Sequence, residues 1–440
     1  MTHLTIFAPR KILHMKNKIL LLVITGLTAL SVKAQNPVDC AGAVNGSDCD
    51  ELRAITTAVP FLLIGPDSRS GAMGEAGVAL SPDANAQHWN ASKLAFAEEE
   101  MEFSLSYSPW LRQLVDDMNL AYLAGYKKIS KTSAVGASLR YFTLGDIIFT
   151  DANGTEIRPF RPAEFALDVS YSLQLSSKFS GGITARWINS NLTGGVNVGG
   201  ADSKAANAFA VDLSGYYHDD DISLGDKDAA LAFGIAVSNI GNKISYTNTA
   251  QRDFLPMNLR LGGAFTIDLD QYNSITFAYD ANKLLVPSPA VYNPESPTQI
   301  IAGRDPDVGV AEGLFGSFSD APGRIVRDEV GAPIIDADGN AEVEGGSVLQ
   351  EELREINHSV GFEYWYANQF AVRGGYFHEH PTKGNRQYFT IGAGFRYNVF
   401  GLDLSYLIPT EQRNPLANTL RFTLRVAFDS SGPPAPDTTE

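Results

Sequence analysis

Between Met101 and Phe428 apolar and polar residues alternate in fourteen blocks, and the charges in every block fall on one side only. The apolar faces include Phe103-Leu105-Tyr107, Val135-Ala137-Leu139-Tyr141, Phe165-Leu167-Val169-Tyr171 and Leu420-Phe422-Leu424-Val426-Phe428, none with a charge. The opposite faces carry Glu102, Arg140, Asp168, Arg186, Asp212, Arg260, Asp280, Glu363, Arg373, Arg396, Asp403, Arg421 and Arg425 among small and hydroxyl residues. A soluble sandwich also alternates, but its outer face is the polar one and it needs about half as many strands. An apolar face uninterrupted over fourteen blocks suits lipid, where a charge at mid-bilayer costs about 2–4 kcal/mol. Tyr and Trp recur at the block ends (Tyr107, Tyr126, Tyr141, Trp187, Tyr217, Tyr366, Tyr376, Tyr397), where the two membrane interfaces fall.

The expected fold is therefore all-β: a 14-stranded transmembrane antiparallel barrel over residues 101–428. Connection lengths support it, because outer-membrane barrels alternate short periplasmic turns with longer external loops. Ser176-Ser177, Ala367 to Gln369 and Asn398 to Phe400 are short, while Ser108 to Asn119, Thr143 to Pro162 and Leu285 to Asn357 are long. The turn His218 to Lys227 is the one longer exception on the short side. An even strand number predicts both chain ends on the periplasmic side. Fourteen strands tilted by about 40° enclose a bore roughly 28 Å across, wide enough to leak unless filled.

Residues 1–34 read as a secretory signal peptide. Lys11, Lys16 and Lys18 precede the apolar run Ile19 to Leu30, and Val32-Lys33-Ala34 offers a cleavage site before Gln35. That run is shorter than the roughly 20 residues a spanning helix needs. Acidic residues outnumber basic ones 50 to 34, a net charge of −16, which argues against a nucleic-acid partner held through phosphates. Cys40 and Cys49 in an oxidising compartment suggest a small disulfide loop.

Residues 35–100 form an N-terminal extension whose middle suits the task of filling the lumen. Gly71, Ala72, Gly74, Ala76, Gly77 and Ala79 allow close packing against a wall, Asp67 and Arg69 are placed to pair with lumen charges, and Trp89 supplies the one large apolar anchor. The run Asp67-Ser-Arg69-Ser-Gly71-Ala-Met73-Gly74-Glu-Ala76-Gly77-Val78-Ala79, followed by Asp83-Ala-Asn85-Ala86 and Trp89-Asn90-Ala91-Ser92, resembles the N-terminal hatch of FadL-like outer-membrane barrels. Ala91 stands where that superfamily usually has Pro. The nearer resemblance, from about Thr57 to Phe428, is to the PorV family of the type IX secretion system.

That resemblance implies a non-enzymatic shuttle without a cofactor. Its implied partners are the translocon barrel, the C-terminal signal domains of cargo proteins, a surface attachment complex with a sortase-type peptidase, and outer-membrane lipid with lipopolysaccharide. Recognition is expected on external loops. The connection 285–357 is far longer than two strands require and contains Leu314, Phe315 and Phe318, which either insert into a partner or fold back on the barrel. Ser347 to Ile356 reads as a short acidic helix.

Asp336-Ala-Asp338-Gly339 lacks the ligand spacing of a calcium loop and reads as a hairpin tip, as does Asp151-Ala-Asn153-Gly154. His378 and His380 flank Glu379 in a short loop and read as solvent-exposed polar residues, and His358-Ser359 has no adjoining base and acid, so neither a metal site nor a catalytic residue is assigned. The polar stretch 429–440 reads as a disordered periplasmic tail. The rival to a secretion shuttle is a FadL-like transporter of hydrophobic small molecules; a lipid-modifying enzyme is the third reading.

Overall fold

Fourteen strands close into one antiparallel barrel in the computed structural model, which describes residues 52–428 apart from 113, 114, 116, 151, 152, 154, 155, 196, 199, 200, 248–251, 330, 412 and 413. Residues 1–34, expected to be a signal peptide, Cys40 and Cys49 with their expected disulfide, and the stretch 429–440 lie outside the described residues. Ahead of the barrel come two short helices, α1 (Ser68–Ala72) and α2 (Ala86–Trp89), each near a 3-10 turn. The barrel strands are β1 (Met101–Pro109), β2 (Asn119–Ser130), β3 (Ser133–Thr143), β4 (Ala163–Gln174), β5 (Phe179–Asn191), β6 (Ala206–Leu224) and β7 (Lys227–Gly241). They continue as β8 (Asn258–Asp268), β9 (Asn273–Leu284), β10 (Asn357–Tyr366), β11 (Phe370–His378), β12 (Gln387–Tyr397), β13 (Phe400–Pro409) and β14 (Leu420–Phe428). Two further helices, α3 (Val310–Gly316) and α4 (Ser347–Arg354), belong to the connection between β9 and β10.

Each strand pairs with its sequence neighbour, and β1 closes on β14 with Met101 opposite Phe428 and Tyr107 opposite Phe422. The period-two pattern sets which side chains point where, because a slip of one residue would turn every apolar side chain inward. Phe209 is 68% and Val169 56% exposed, whereas Arg373 is 2% and Asp403 0% exposed. The charge-bearing face is thus the inner one all round, and the apolar face is the outer one.

Short turns gather at one end of the barrel and long connections at the other. His218 to Lys227, read from the sequence as a longer turn, is mostly strand: β6 and β7 stay paired to Leu224 and Lys227, with an irregularity between Asp219 and Ile222. The Asp-rich composition hid a hairpin that extends the ladder past its neighbours.

Residues 58–97 pack against the inner face. Their helical turns are short, and two carry side-chain caps: Asp67 accepts from Ser70 N at 2.8 Å at α1, and Asn90 accepts from Ser92 N at 3.1 Å at the 3-10 turn Ala91–Phe96, whereas α2 has no side-chain cap. Strand parity places both ends of the barrel ladder at the short-turn end, yet the first described residues lie at the other. Arg53 and Ala58 bond with the long connections, through Thr382 O and Phe254 O at 3.0 Å each, while Lys128 N reaches Glu100 O at 2.8 Å beside a short turn. The segment therefore runs the length of the bore, a path that strand parity alone does not predict.

Candidate functional site

Arg69 is the most fully engaged charge of the N-terminal segment. Its guanidinium donates twice to Glu363 on β10, at 3.0 and 2.8 Å, and to Ser81 Oγ at 2.7 Å. Glu363 also accepts from Arg373 at 2.6 Å, Arg373 reaches Asp403 at 2.8 Å, and Asp403 takes Arg396 at 2.7 Å. A second chain of charge crosses the other wall, where Arg186 bridges Asp168 at 2.7 Å and Asp212 at 3.0 Å. Buried charges persist where each has an opposite partner, which these chains supply, although Nη2 of Arg373 is buried without a hydrogen-bond partner.

The other sequence-predicted residues of this segment divide. Asp67 forms no ion pair with a lumen cation among the described residues; it caps α1 and accepts from Trp89 Nε1 at 2.6 Å, so it holds the segment to itself. Trp89 is buried, but it is not the one large apolar anchor, since Phe61, Met73, Leu80 and Leu94 are buried more deeply. Asn90 Nδ2 ties Val78 O at 3.1 Å to Gly215 O of β6 at 3.0 Å. Gly71 lies within α1, its N–H bonded to Asp67 O. Gly74 is required by its backbone: φ is +68°, and an added Cβ would meet Tyr376 N and O at 2.6 Å.

Several partners escaped the sequence reading. Asp280 Oδ2 accepts from Gly77 N at 2.7 Å and Val78 N at 2.9 Å, Thr390 Oγ1 accepts from Gly74 N and donates to Ala72 O, both at 2.9 Å, and Lys93 Nζ donates to Gly77 O at 2.6 Å. Asp280 was legible as an inward charge; its backbone partners were not, since nothing in a strand pattern says which loop amides will face it.

The connection between β9 and β10 has a different character. Leu314 on α3 packs with Phe254, Met257 and Leu285, so of the three candidate partner-binding residues it is turned toward its own fold. Phe315 and Phe318 are 74% and 50% exposed. Helix α4 shows Leu349 and Leu353 outward while Glu351 and Glu352 are buried. Those carboxylates and Glu355 face Lys283 and Lys383: Lys383 reaches Glu351 at 2.7 Å and Glu355 at 3.0 Å, and Lys283 reaches Glu355 at 2.6 Å. Burial alone would raise the Glu355 carboxyl, but the two ammonium groups outweigh it and hold it below the ordinary glutamate value.

Of the remaining motifs, Asp336 Oδ1 accepts from Asp338 N and Asn340 N in a tight turn closed by an Ile335–Ala341 bridge. Ile147–Thr150 pairs with Glu156–Phe160, while Asp151, Ala152 and Gly154 lie outside the described residues. Glu379 binds Arg386 at 2.7 Å, and His358 Nδ1 meets Tyr279 OH at 2.7 Å on the outer face. Between the N-terminal segment and the long connections lies a cavity of about 450 Å³, bordered on one hand by apolar Ile55, Trp110 and Phe377 and on the other by charged Glu75, Arg260 and Arg421.

A closed fourteen-stranded barrel with an apolar exterior and charges sorted inward is a β-barrel protein of the outer membrane. The family model "Type IX secretion system protein PorV" matches residues 47–291, more than half of the chain, and the chain belongs to that family. Among solved structures it is similar to the toluene transporter TbuX of Ralstonia pickettii, with 12% identity over 84% of this chain and 100% of that one and a TM-score of 0.42. The toluene transporter TodX of P. putida gives 12% identity over 83% and 99% with a TM-score of 0.43, and a Pseudomonas aeruginosa FadL homologue 11% over 86% and 99% with 0.39. No curated protein matches the sequence.

Proposed function

We propose that this outer-membrane component of type IX secretion is a non-enzymatic shuttle. In this reading it takes cargo proteins from the translocon barrel by their C-terminal signal domains and hands them to the surface attachment complex. Residues 58–97 act as a plug that keeps the bore from leaking, and the external connection 285–356 presents the partner-binding surface, where Phe315, Phe318, Leu349 and Leu353 are exposed. The observation that carries the reading is a contrast: Arg69, Glu363, Arg373 and Asp403 are paired within the lumen, while Phe315, Phe318, Leu349 and Leu353 stand exposed on this connection. Family membership supplies the secretion context.

The test is deletion of Arg304 to Gly346. The barrel is expected to keep its altered mobility on unheated gels while co-purification of exported proteins disappears; retained capture would place recognition elsewhere. The 450 Å³ cavity, apolar on one side and charged on the other, is the basis of a second reading, passage or storage of a small hydrophobic molecule with a polar head. Fatty acids, rather than exported proteins, recovered with the purified protein would select it.

A further inference from the structure

The first described residues lie across the long-connection end of the barrel, and they are held there by three separate loops. Arg53 N donates to Thr382 O at 3.0 Å, in the connection between β11 and β12. Arg53 Nη1 donates to Gly323 O and to Glu351 Oε2, both at 2.9 Å, in the connection between β9 and β10. Ala58 N donates to Phe254 O at 3.0 Å, in the connection between β7 and β8. Between these points Ile55 packs against the Phe254, Met257 and Leu285 cluster. At its far end the segment is fixed to the opposite rim, where Lys128 Nζ reaches Ala97 O at 2.6 Å and Tyr126 OH reaches Glu99 O at 3.3 Å.

Long connections are the external ones in outer-membrane barrels. We propose that the N-terminal segment threads the barrel from the cell surface inward, with residues 52–58 forming a strap across the external mouth and Arg53 its clasp. The strap is one wall of the 450 Å³ cavity, through Ala54, Ile55, Thr56 and Thr57, so opening it uncovers that cavity to the outside. A single side chain links the strap to α4, and its neighbour on the strap, Leu52, is 50% exposed. An extended strand of this kind, with few backbone bonds and one buried ion pair, belongs to the part of a fold that opens locally before the barrel does. The inference depends on the orientation of the barrel in the outer membrane and is independent of whether cargo is carried.

The experiment uses the full chain with Cys40→Ser and Cys49→Ser and one added cysteine at a time. Leu52→Cys is expected to react with a membrane-impermeant maleimide on intact cells, whereas Tyr272→Cys, in the short turn between β8 and β9, reacts only after permeabilisation. Labelling of Leu52→Cys only in permeabilised cells overturns the threading, and labelling of Tyr272→Cys on intact cells overturns the orientation beneath it. Ala58→Cys, at a position 8% exposed, is expected to label slowly, and Arg53→Ala to speed it about tenfold or more while gel mobility of the unheated barrel is unchanged. An unaltered rate in the Arg53→Ala background overturns the clasp; Arg53→Lys, which keeps the charge and loses the fork, is expected to fall between the two.

Discussion

The N-terminal segment and the long connection before β10 are both irregular chain packed on the same barrel and both bury paired charges, yet they treat apolar side chains in opposite ways: Met73, Leu80 and Leu94 of the segment are buried, while Phe315, Leu349 and Leu353 of the connection are exposed. In the segment, Arg69 is bonded twice to Glu363 and again to Ser81, and the charges it touches continue into the wall. In the connection, carboxylates of α4 turn inward to two lysines and the leucines face water. A region whose side chains are satisfied within the chain contributes to stability; one that leaves apolar side chains in water is organised for contact with something else.

The largest break in this comparison is expected from Glu363→Ala. It strands Arg69 and Arg373 without their shared carboxylate, and removing one partner of a buried pair costs about 3–5 kcal/mol. The drop is readable as the temperature at which the folded barrel loses its fast gel mobility. The matching change outside, Glu344→Ala, removes the partner of Arg324 in a half-exposed pair and is expected to cost less than about 1 kcal/mol. Equal losses at the two sites would erase the distinction.

Gly74→Ala comes next. A Cβ at φ +68° is strained wherever it sits, and here it also meets the backbone of β11. A loss of about 1–3 kcal/mol is expected in the same assay. Gly71→Ala is a poor control for it, since Arg421 lies beside that position as well.

Most of the barrel was legible because a strand in lipid repeats every second residue, and the sorting of Arg140, Asp168, Asp280 and Glu363 to one side identified the lumen directly. The hairpin through Asp219 to Leu224 was not, since acidic residues at a strand end look like a turn until their ladder partners are known. In the N-terminal segment the small residues were readable as a close-packing device, but the role of Asp67 was misjudged. A carboxylate that caps a helix and one that pairs with a distant arginine have the same local sequence. Likewise Leu314 and Phe315 are adjacent on a short helix, and only the helix's rotation decides which of them faces Phe254. The threading of the segment depends on contacts between residues some three hundred positions apart, which no local pattern carries.

The pH response sharpens the contrast at the seam between the two regions. Glu355 is held below the ordinary glutamate value, so its contribution to docking the connection is complete above that value and is lost as the pH falls through the lowered one. Protease protection of α4 is therefore expected to hold down to about pH 4, the ordinary glutamate range, and to fail below it. Lys383→Met removes one of the two ammonium groups that lower Glu355, and is expected to move the loss of protection to higher pH. A profile unchanged by Lys383→Met would mean that the clasp on α4 lies elsewhere.

The smallest effect on stability, and the most informative on function, is expected from Phe315→Ser combined with Phe318→Ser. Both rings are exposed, so their loss should leave the barrel's melting within about 0.5 kcal/mol of the parent. Leu314→Ser, one residue away, removes a side chain from the cluster around Phe254 and should loosen the connection, seen as faster proteolysis between β9 and β10. If the connection presents a partner surface, the phenylalanine pair abolishes co-purification of exported proteins at full stability, while the leucine change reduces it only in step with the loosening. Capture that survives the double substitution and fails with Leu314→Ser would show that the shape of the connection matters and its exposed rings do not, which moves the contact surface to α4 and its outward Leu349 and Leu353.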